Sequence, residues 1–189
     1  LTLLQRVVRR DGEAWQRFTD LYGPLVFHWC RRQGLSEHDA ADLLQDVCLS
    51  VSRAIHQFEV RPGASFRGWL WTITRNRLRD HFRLRAREAR AEGGTDAWER
   101  LASVAEALSD DPDEHTAAVE IQSLHRRGLE LVRSEFEEKT WQLFWRSVVL
   151  EEVTAEIAQQ AGVSPAAVRQ ARSRVLRRLR QELGEAGPD

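Results

Sequence analysis

The sequence predicts an all-α protein made of two small helical domains, residues 1–90 and 118–185, joined by an acidic linker over 91–117. Three observations carry this reading. Apolar residues recur at three- and four-residue spacings along most of the 189 residues, the period of helices with one buried face. Strand-like alternation is absent, and β-branched clusters are short. Charge is laid out in blocks, although the formal net is only −1. Eight arginines from Arg67 to Arg90 meet only Asp80 and Glu88; eight acids from Glu92 to Glu114 meet only Arg100; six arginines between Ser164 and Arg180 meet no acid. That asymmetry is expected when separate modules grip a polyanion.

Composition narrows the class. With 42% hydrophobic and 30% charged residues the chain can build real cores. No apolar run approaches the ~18 residues of a membrane span. The stretch LTLLQRVVRRDGEAW lacks the apolar core and small-residue cleavage site of a secretory signal, so a cytoplasmic protein without membrane insertion is expected. Cys30 and Cys48 sit inside apolar helical patterns, which fits buried free thiols in a reducing compartment better than a disulfide. The six histidines show no ligand spacing; His28 and Cys30, two residues apart, point to different helix faces. Neither a metal nor a cofactor is expected.

The first helix is predicted over about Glu13–Gln33, with Trp15, Phe18, Leu21, Tyr22, Leu25, Val26 and Trp29 on one face and Gly34 as its C-terminal stop. Ser36 then caps a second helix, with Asp39 three residues on in an acidic variant of the capping box. This helix buries Leu43, Leu44, Val47, Val51, Ala54 and Phe58, while Asp39, Asp42 and Asp46 recur at i, i+3, i+7 along an exposed acidic edge. Pro62 and Gly63 mark Glu59–Ser65 as a loop. In the helix that follows, projected at about 100° per residue, Phe66, Trp69, Leu70 and Ile73 form one stripe. Trp71, Leu78 and Phe82 form a nearly opposite one, with Arg75 between. One stripe faces the core; the other packs on a further helix or meets unstacked bases, for which aromatic platforms beside arginine are a recurrent solution. Trp69 reads as core, and Trp71 stays open between the two roles.

The connector is too short for a third domain. Helices resume over Thr116–Val132 and Lys139–Val149, with Leu124, Leu129, Val132, Trp141, Phe144, Trp145 and Val148 as expected core. The most specific motif follows. Ala158, Gly162 and Val168 keep the A-x3-G-x5-V spacing of a helix-turn-helix: a small residue where two helices cross, a glycine for positive φ in the turn, and an apolar wedge beside Ile157. Ser164 and Pro165 supply the N-cap and first-turn proline of a recognition helix. On it Val168, Ala171, Val175 and Leu179 face inward. Gln170, Ser173, Arg174 and Arg177 face out with Arg169 and Arg180 flanking, and Arg172 projects near the apolar side.

From about Asp11 to Leu183 the sequence resembles the group IV, or extracytoplasmic function (ECF), sigma factors of the sigma-70 family. DAADLLQDV resembles their core-binding helix (region 2.2), FRGWLWTITRNRLRDHFR their regions 2.3 and 2.4, and the helix-turn-helix their region 4.2. The resemblance implies a specificity subunit of RNA polymerase that docks on the β′ clamp helices through Asp39, Asp42, Gln45 and Asp46, with the β flap as a second contact. Ala41 stands where the family usually has a further acid. It also implies melting of the −10 promoter element through Arg61, Ser65, Arg67, Trp71, Arg75, Asn76 and Arg79. Reading of the −35 duplex falls to Ser164, Arg169, Gln170, Ser173, Arg174 and Arg177. Core RNA polymerase and promoter DNA are the implied partners, and an anti-sigma protein is a further candidate. The connector resembles the linker that family members thread through the RNA exit channel, and equally a solvated tether. No catalytic residue is implied. A conventional helix-turn-helix regulator acting without polymerase would explain Glu151–Leu183 but not the acidic edge or the aromatic-arginine helix. A nucleic acid enzyme would need carboxylates paired in a cleft or a metal constellation.

Overall fold

Helix starts are set by short polar side chains that satisfy the first free backbone N–H groups. In a computed structural model, which describes residues 2–58, 65–91, 95–109 and 114–184, the first such residue is Thr2. Its hydroxyl accepts from the Gln5 N–H, and the Gln5 side chain accepts from the Thr2 N–H, a capping box that opens α1 (Leu3–Val8). This helix is absent from the sequence-based expectations; at six residues it is too short to display a period, yet Leu3, Leu4 and Val7 are all buried. Asp11 caps α2 (Gly12–Arg32), accepting from the N–H groups of Glu13 and Ala14 at 3.1 Å each. Gly34, at φ +84°, ends it in the left-handed turn expected.

Ser36 caps α3 (Glu37–Ala54) by accepting from the Asp39 N–H at 3.0 Å. Its hydroxyl also donates to the Asp39 carboxylate at 2.7 Å, so the acidic variant of the box closes between side chains. A single 3-10 turn, Ile55–Gln57, follows. The long arginine helix is α4 (Phe66–Ala91), and part of the acidic connector forms α5 (Thr95–Ala107), packed along it. Then come α6 (Glu114–Arg133), α7 (Glu138–Val148), α8 (Thr154–Ala161) and α9 (Pro165–Glu182). Every element among the described residues is helical, as the sequence predicts. Most of the expected loop, residues 59–64 with Arg61, Pro62 and Gly63, lies outside the described residues, as do connector residues 92–94 and 110–113.

The largest apolar cluster is built by α1 to α4. It takes in Ala105 of α5, Leu108 just after it and, from the second half of the chain, Leu124, Leu179 and Leu183. Aromatic edges organise it: Phe66 lies 5.0 Å from Tyr22 and 5.2 Å from Phe58, both edge-on, and Trp29 meets Trp71 edge-on at 5.2 Å. Here the structure corrects an open placement. Trp71 is 4% exposed and belongs to the core, its ring edge-on to Trp29 of α2; Trp69 and Ile73, on the other stripe, are half-buried.

The helix-turn-helix forms as its spacing predicts. Gly162 sits at φ +62°, Ile157, Ala158, Val168 and Ala171 share one cluster with Leu143, and Ser164 accepts from the Ala167 N–H at 3.2 Å. Val132, Trp141, Phe144 and Val175 form a third cluster. Two expectations need correction here. Trp145 is 39% exposed rather than core, and Arg172 is exposed rather than turned to the apolar side. Helices α6 and α9 approach so closely that a Cβ on Gly128 would stand 2.7 Å from Leu179 Cδ1. Both cysteines are free: burial pushes the Cys30 thiol up to about 12, and raises the half-buried Cys48 thiol too.

Candidate polymerase and nucleic acid surfaces

Four surfaces emerge from these elements. The first is the acidic edge of α3. Asp42, Gln45 and Asp46 are exposed and Asp39 is half-buried. The three aspartates line a cleft of about 240 Å³ whose other wall is Arg77, Asp80, His81 and Leu84 of α4. The Ser36 hydroxyl holds the Asp39 carboxyl below its usual range against the opposing effect of burial, with His81 and Arg85 assisting. Asp39 is therefore charged at neutral pH. A backbone hydrogen bond and the nearby Asp42 carboxylate raise His38, whose Nδ1 lies 3.1 Å from Asp42. Asp80, His81 and Leu84 were missed in the sequence because they come from another helix. What brings them here is the seating of α4 on α3, pinned where Arg77 Nε donates to Ser50 Oγ at 2.9 Å.

The second surface is α4, and its arginines are engaged within the fold. Arg67 donates to Glu120 of α6, a buried carboxylate that also accepts from Trp29 Nε1 at 3.0 Å and lies 3.9 Å from Arg32. Arg75 donates to the Ser109 carbonyl at 3.4 Å and Arg79 to that of Leu108 at 3.1 Å, both at the end of the connector helix. Burial, helped by the neighbouring Arg79, lowers the pKa of Arg75 from its ordinary value. The indole N–H of Trp71 is buried with no hydrogen-bond partner among the described residues. Ser65 is exposed and its hydroxyl accepts from the Gly68 N–H at 3.0 Å; Asn76 is exposed. Of the residues singled out for the −10 element, only Ser65 and Asn76 lie open in this conformation, and Arg61 falls outside the described residues.

The third surface is the outward face of α9. Arg169, Gln170, Ser173, Arg174 and Arg177 are exposed together, with Ser164 exposed at the helix start and Arg172 and Arg180 alongside. Arg178 departs from this pattern, donating to Glu135 at 2.6 and 2.8 Å and lying 2.7 Å from Glu182. Glu182 and Glu135 in turn accept from Arg17 of α2, each at 2.7 Å. The i, i+4 spacing of Arg178 and Glu182 was visible in the sequence; the long-range partners were not.

A fourth feature escapes the sequence because its period places Trp145 in the core. Helices α6 and α7 enclose an open groove of about 1200 Å³ with Leu129, Trp141, Trp145, Val148 and Val149 among its apolar lining and Arg126, Arg133 and Glu138 among its charged groups. Among the described residues, no helix is long and apolar enough to cross a membrane, and no group of three or more His, Cys, Asp or Glu is arranged to hold a metal ion.

Residues 18–88, from the middle of α2 to near the end of α4, match the family model Sigma-70 region 2. Similarity extends beyond that segment. The chain is 27% identical to the ECF RNA polymerase sigma factor SigD of Mycobacterium tuberculosis over 98% of its own length and 84% of that protein. It is 26% identical to the ECF RNA polymerase sigma factor ShbA of Streptomyces griseus over 94% of its length and 92% of that protein. Over nearly its whole length the chain is thus similar to ECF RNA polymerase sigma factors. The segment matched by the family model holds the acidic edge and most of α4, while the exposed face of α9 and the groove between α6 and α7 fall within the span of the whole-length relatives.

Proposed function

We propose that this chain is a sigma factor that binds core RNA polymerase and directs promoter-specific initiation without itself catalysing a step. The observation that carries the reading is the coexistence, in one chain, of an exposed carboxylate edge on α3 and a helix-turn-helix whose outer face presents Gln170, Ser173, Arg174 and Arg177 to solvent. The edge suits a basic partner, and its contacts are assigned to the β′ clamp helices through Asp39, Asp42, Gln45 and Asp46. The apolar groove of Trp141, Trp145 and Val149 is assigned to the β flap. On α9, residues near the N-terminus are best placed for base edges in the −35 major groove and the later arginines for phosphates. Arg67, Trp71, Arg75, Asn76 and Arg79 of α4, with Arg61 and Ser65, are assigned to the −10 strand. Unstacking and flipping a base costs a few kcal/mol, which stacking and phosphate contacts return, so binding energy suffices without hydrolysis. A duplex-binding regulator acting alone would use α9 and leave the α3 edge without a role.

Run-off transcription from genomic promoter fragments tests this reading, using purified core polymerase with and without the chain. Discrete transcripts that depend on the chain are expected; unchanged core activity would overturn it. Replacing Asp42 and Asp46 together by arginine is expected to abolish co-purification with core while the helical circular dichroism stays intact, and retained co-purification would remove the edge from the interface.

A further inference from the structure

Two positions in the turn between α1 and α2 run against backbone preference. Arg10 holds φ +59°, in the left-handed region that glycine occupies most easily, and its N–H donates to the Val7 carbonyl at 2.9 Å. Gly12 opens α2 without a left-handed φ, and a Cβ there would meet nothing within 4 Å. The arginine stands where glycine suits the chain, and the glycine where a larger residue would fit. Both border one cleft of about 750 Å³, formed by the end of α1, the start of α2 and the end of α3 with its 3-10 turn. We propose that this cleft binds a free mononucleotide, its phosphates on Arg10 and Arg53 and its base against Trp15. The inference goes beyond the polymerase and promoter assignments and does not rest on them.

Charge in the cleft is arranged for an anion. Arg6 takes up the acids of the turn, donating to Asp11 at 2.8 Å and to Glu13 at 3.0 Å, and the Asp11 carboxylate also accepts from the Glu13 and Ala14 N–H groups. Arg10 and Arg53 are exposed and have no side-chain hydrogen bond or ion pair among the described residues, and none of the described lining residues is an acid. Guanidinium groups fork onto phosphate oxygens, and the His56 ring beside them adds a further hydrogen-bonding group. The Ser52 hydroxyl donates to the Leu49 carbonyl at 2.9 Å, which leaves its oxygen to accept from a sugar hydroxyl. The remaining wall suits a flat ring. Val7 and Ile55 are buried in it, Val8 is exposed at its edge, and the half-buried Trp15 is steadied by stacking on Phe18 at 5.2 Å. A bare phosphate would leave that wall unused, and an uncharged ring would leave two cations unanswered; a nucleotide meets both. The volume falls within the range of small-molecule sites. Because Arg6 braces the turn, Arg10 is held in place before a ligand arrives, and a left-handed backbone outlier of this kind is characteristic of ligand clamps.

The test is calorimetric titration of the full chain with ATP and GTP at fixed salt, with adenosine, inorganic tripolyphosphate and a short single-stranded oligonucleotide of mixed sequence as comparison probes. Saturable binding of one nucleotide per chain is expected, about tenfold or more tighter than adenosine or tripolyphosphate, because each of these meets only part of the cleft. Arg10→Gly removes the cation and relaxes the backbone, and Gly12→Leu fills the space; each is expected to weaken the nucleotide about tenfold with the helical dichroism intact. Arg53→Gln, on an exposed turn of α3, repeats the loss of charge without altering a backbone angle. Arg9→Gln removes an equal charge just outside the lining and is expected to change affinity by less than about twofold. The proposal is overturned by absence of saturable binding, or by adenosine or tripolyphosphate binding as tightly as the nucleotides. An oligonucleotide that binds more tightly than either nucleotide also overturns it, giving the cleft to a nucleic acid strand, and so does Arg9→Gln weakening binding as much as Arg10→Gly, which would make the attraction diffuse. None of these readouts involves polymerase, so their failure and failure of run-off transcription are separate results.

Discussion

Helices α4 and α9 are both arginine-rich, yet they are placed in opposite ways. On α4, Arg67, Arg75 and Arg79 donate to groups on α6 and at the end of α5, and an aromatic stripe is buried with them. On α9, five of six arginines, Arg169, Arg172, Arg174, Arg177 and Arg180, are exposed, and Arg178 alone is drawn into an internal network. Composition therefore does not decide whether an arginine helix is available to a polyanion. What lies across from it decides. Among the described residues nothing packs over the outer face of α9, whose single apolar face is taken up by α6, α7 and α8, whereas α4 is apolar on two sides and demands a cover on each.

The comparison breaks most readily at Trp71. If its ring is core, Trp71→Ala costs about 3–5 kcal/mol of stability by urea denaturation; an unchanged midpoint would return it to an exposed DNA platform. Arg67→Ala comes next, at about 3 kcal/mol, because it leaves the buried Glu120 without its principal cation. Arg174→Ala, its exposed counterpart on α9, is expected to change stability by less than about 0.5 kcal/mol. It should instead weaken duplex binding on all sequences and shallow the log–log salt slope by about 0.9. Gln170→Ala should relax preference at one base pair. Equal effects of both on every sequence would erase the division between phosphate and base contacts.

The smallest effect tests the inward arginine of α9. Burial alone would raise the Glu135 carboxyl, but hydrogen bonds from Arg178 and Arg17 outweigh it and hold it below its ordinary 4.5. A carboxyl depressed by folding adds stability that is present above its unfolded pKa and is lost as pH falls through the folded one. Stability should thus be level above about pH 5 and decline below it, and Glu135→Gln should flatten part of that decline; an identical pH profile in the variant would exclude the network as a source.

Much of α9 was legible because its determinants are local. Ser164, Pro165 and Gly162 act within a few residues, and the period of Val168, Ala171, Val175 and Leu179 points inward whatever the partner is. The fate of α4 was not legible. Two apolar stripes announce two covers but not which segments supply them, and Glu120 lies 53 residues from the arginine it binds. The acidic connector looked like a tether by charge, although Trp98, Leu101, Val104 and Ala105 give α5 an apolar side that packs on α4, with Arg90 stacked over Trp98 at 5.2 Å. Trp145 failed for a related reason: an amphipathic period identifies a face without saying how far along the helix that face is covered.

Gly128 carries a mechanical consequence. With no side chain at Gly128, the Leu179 and Leu183 side chains pack directly onto the α6 backbone, so the stem bearing Glu120 and the rod bearing Arg174 are effectively one rigid lever. Any force that pulls the acid out of its socket must swing the reading head by the same rotation, and a bulkier residue at that pivot would uncouple the two.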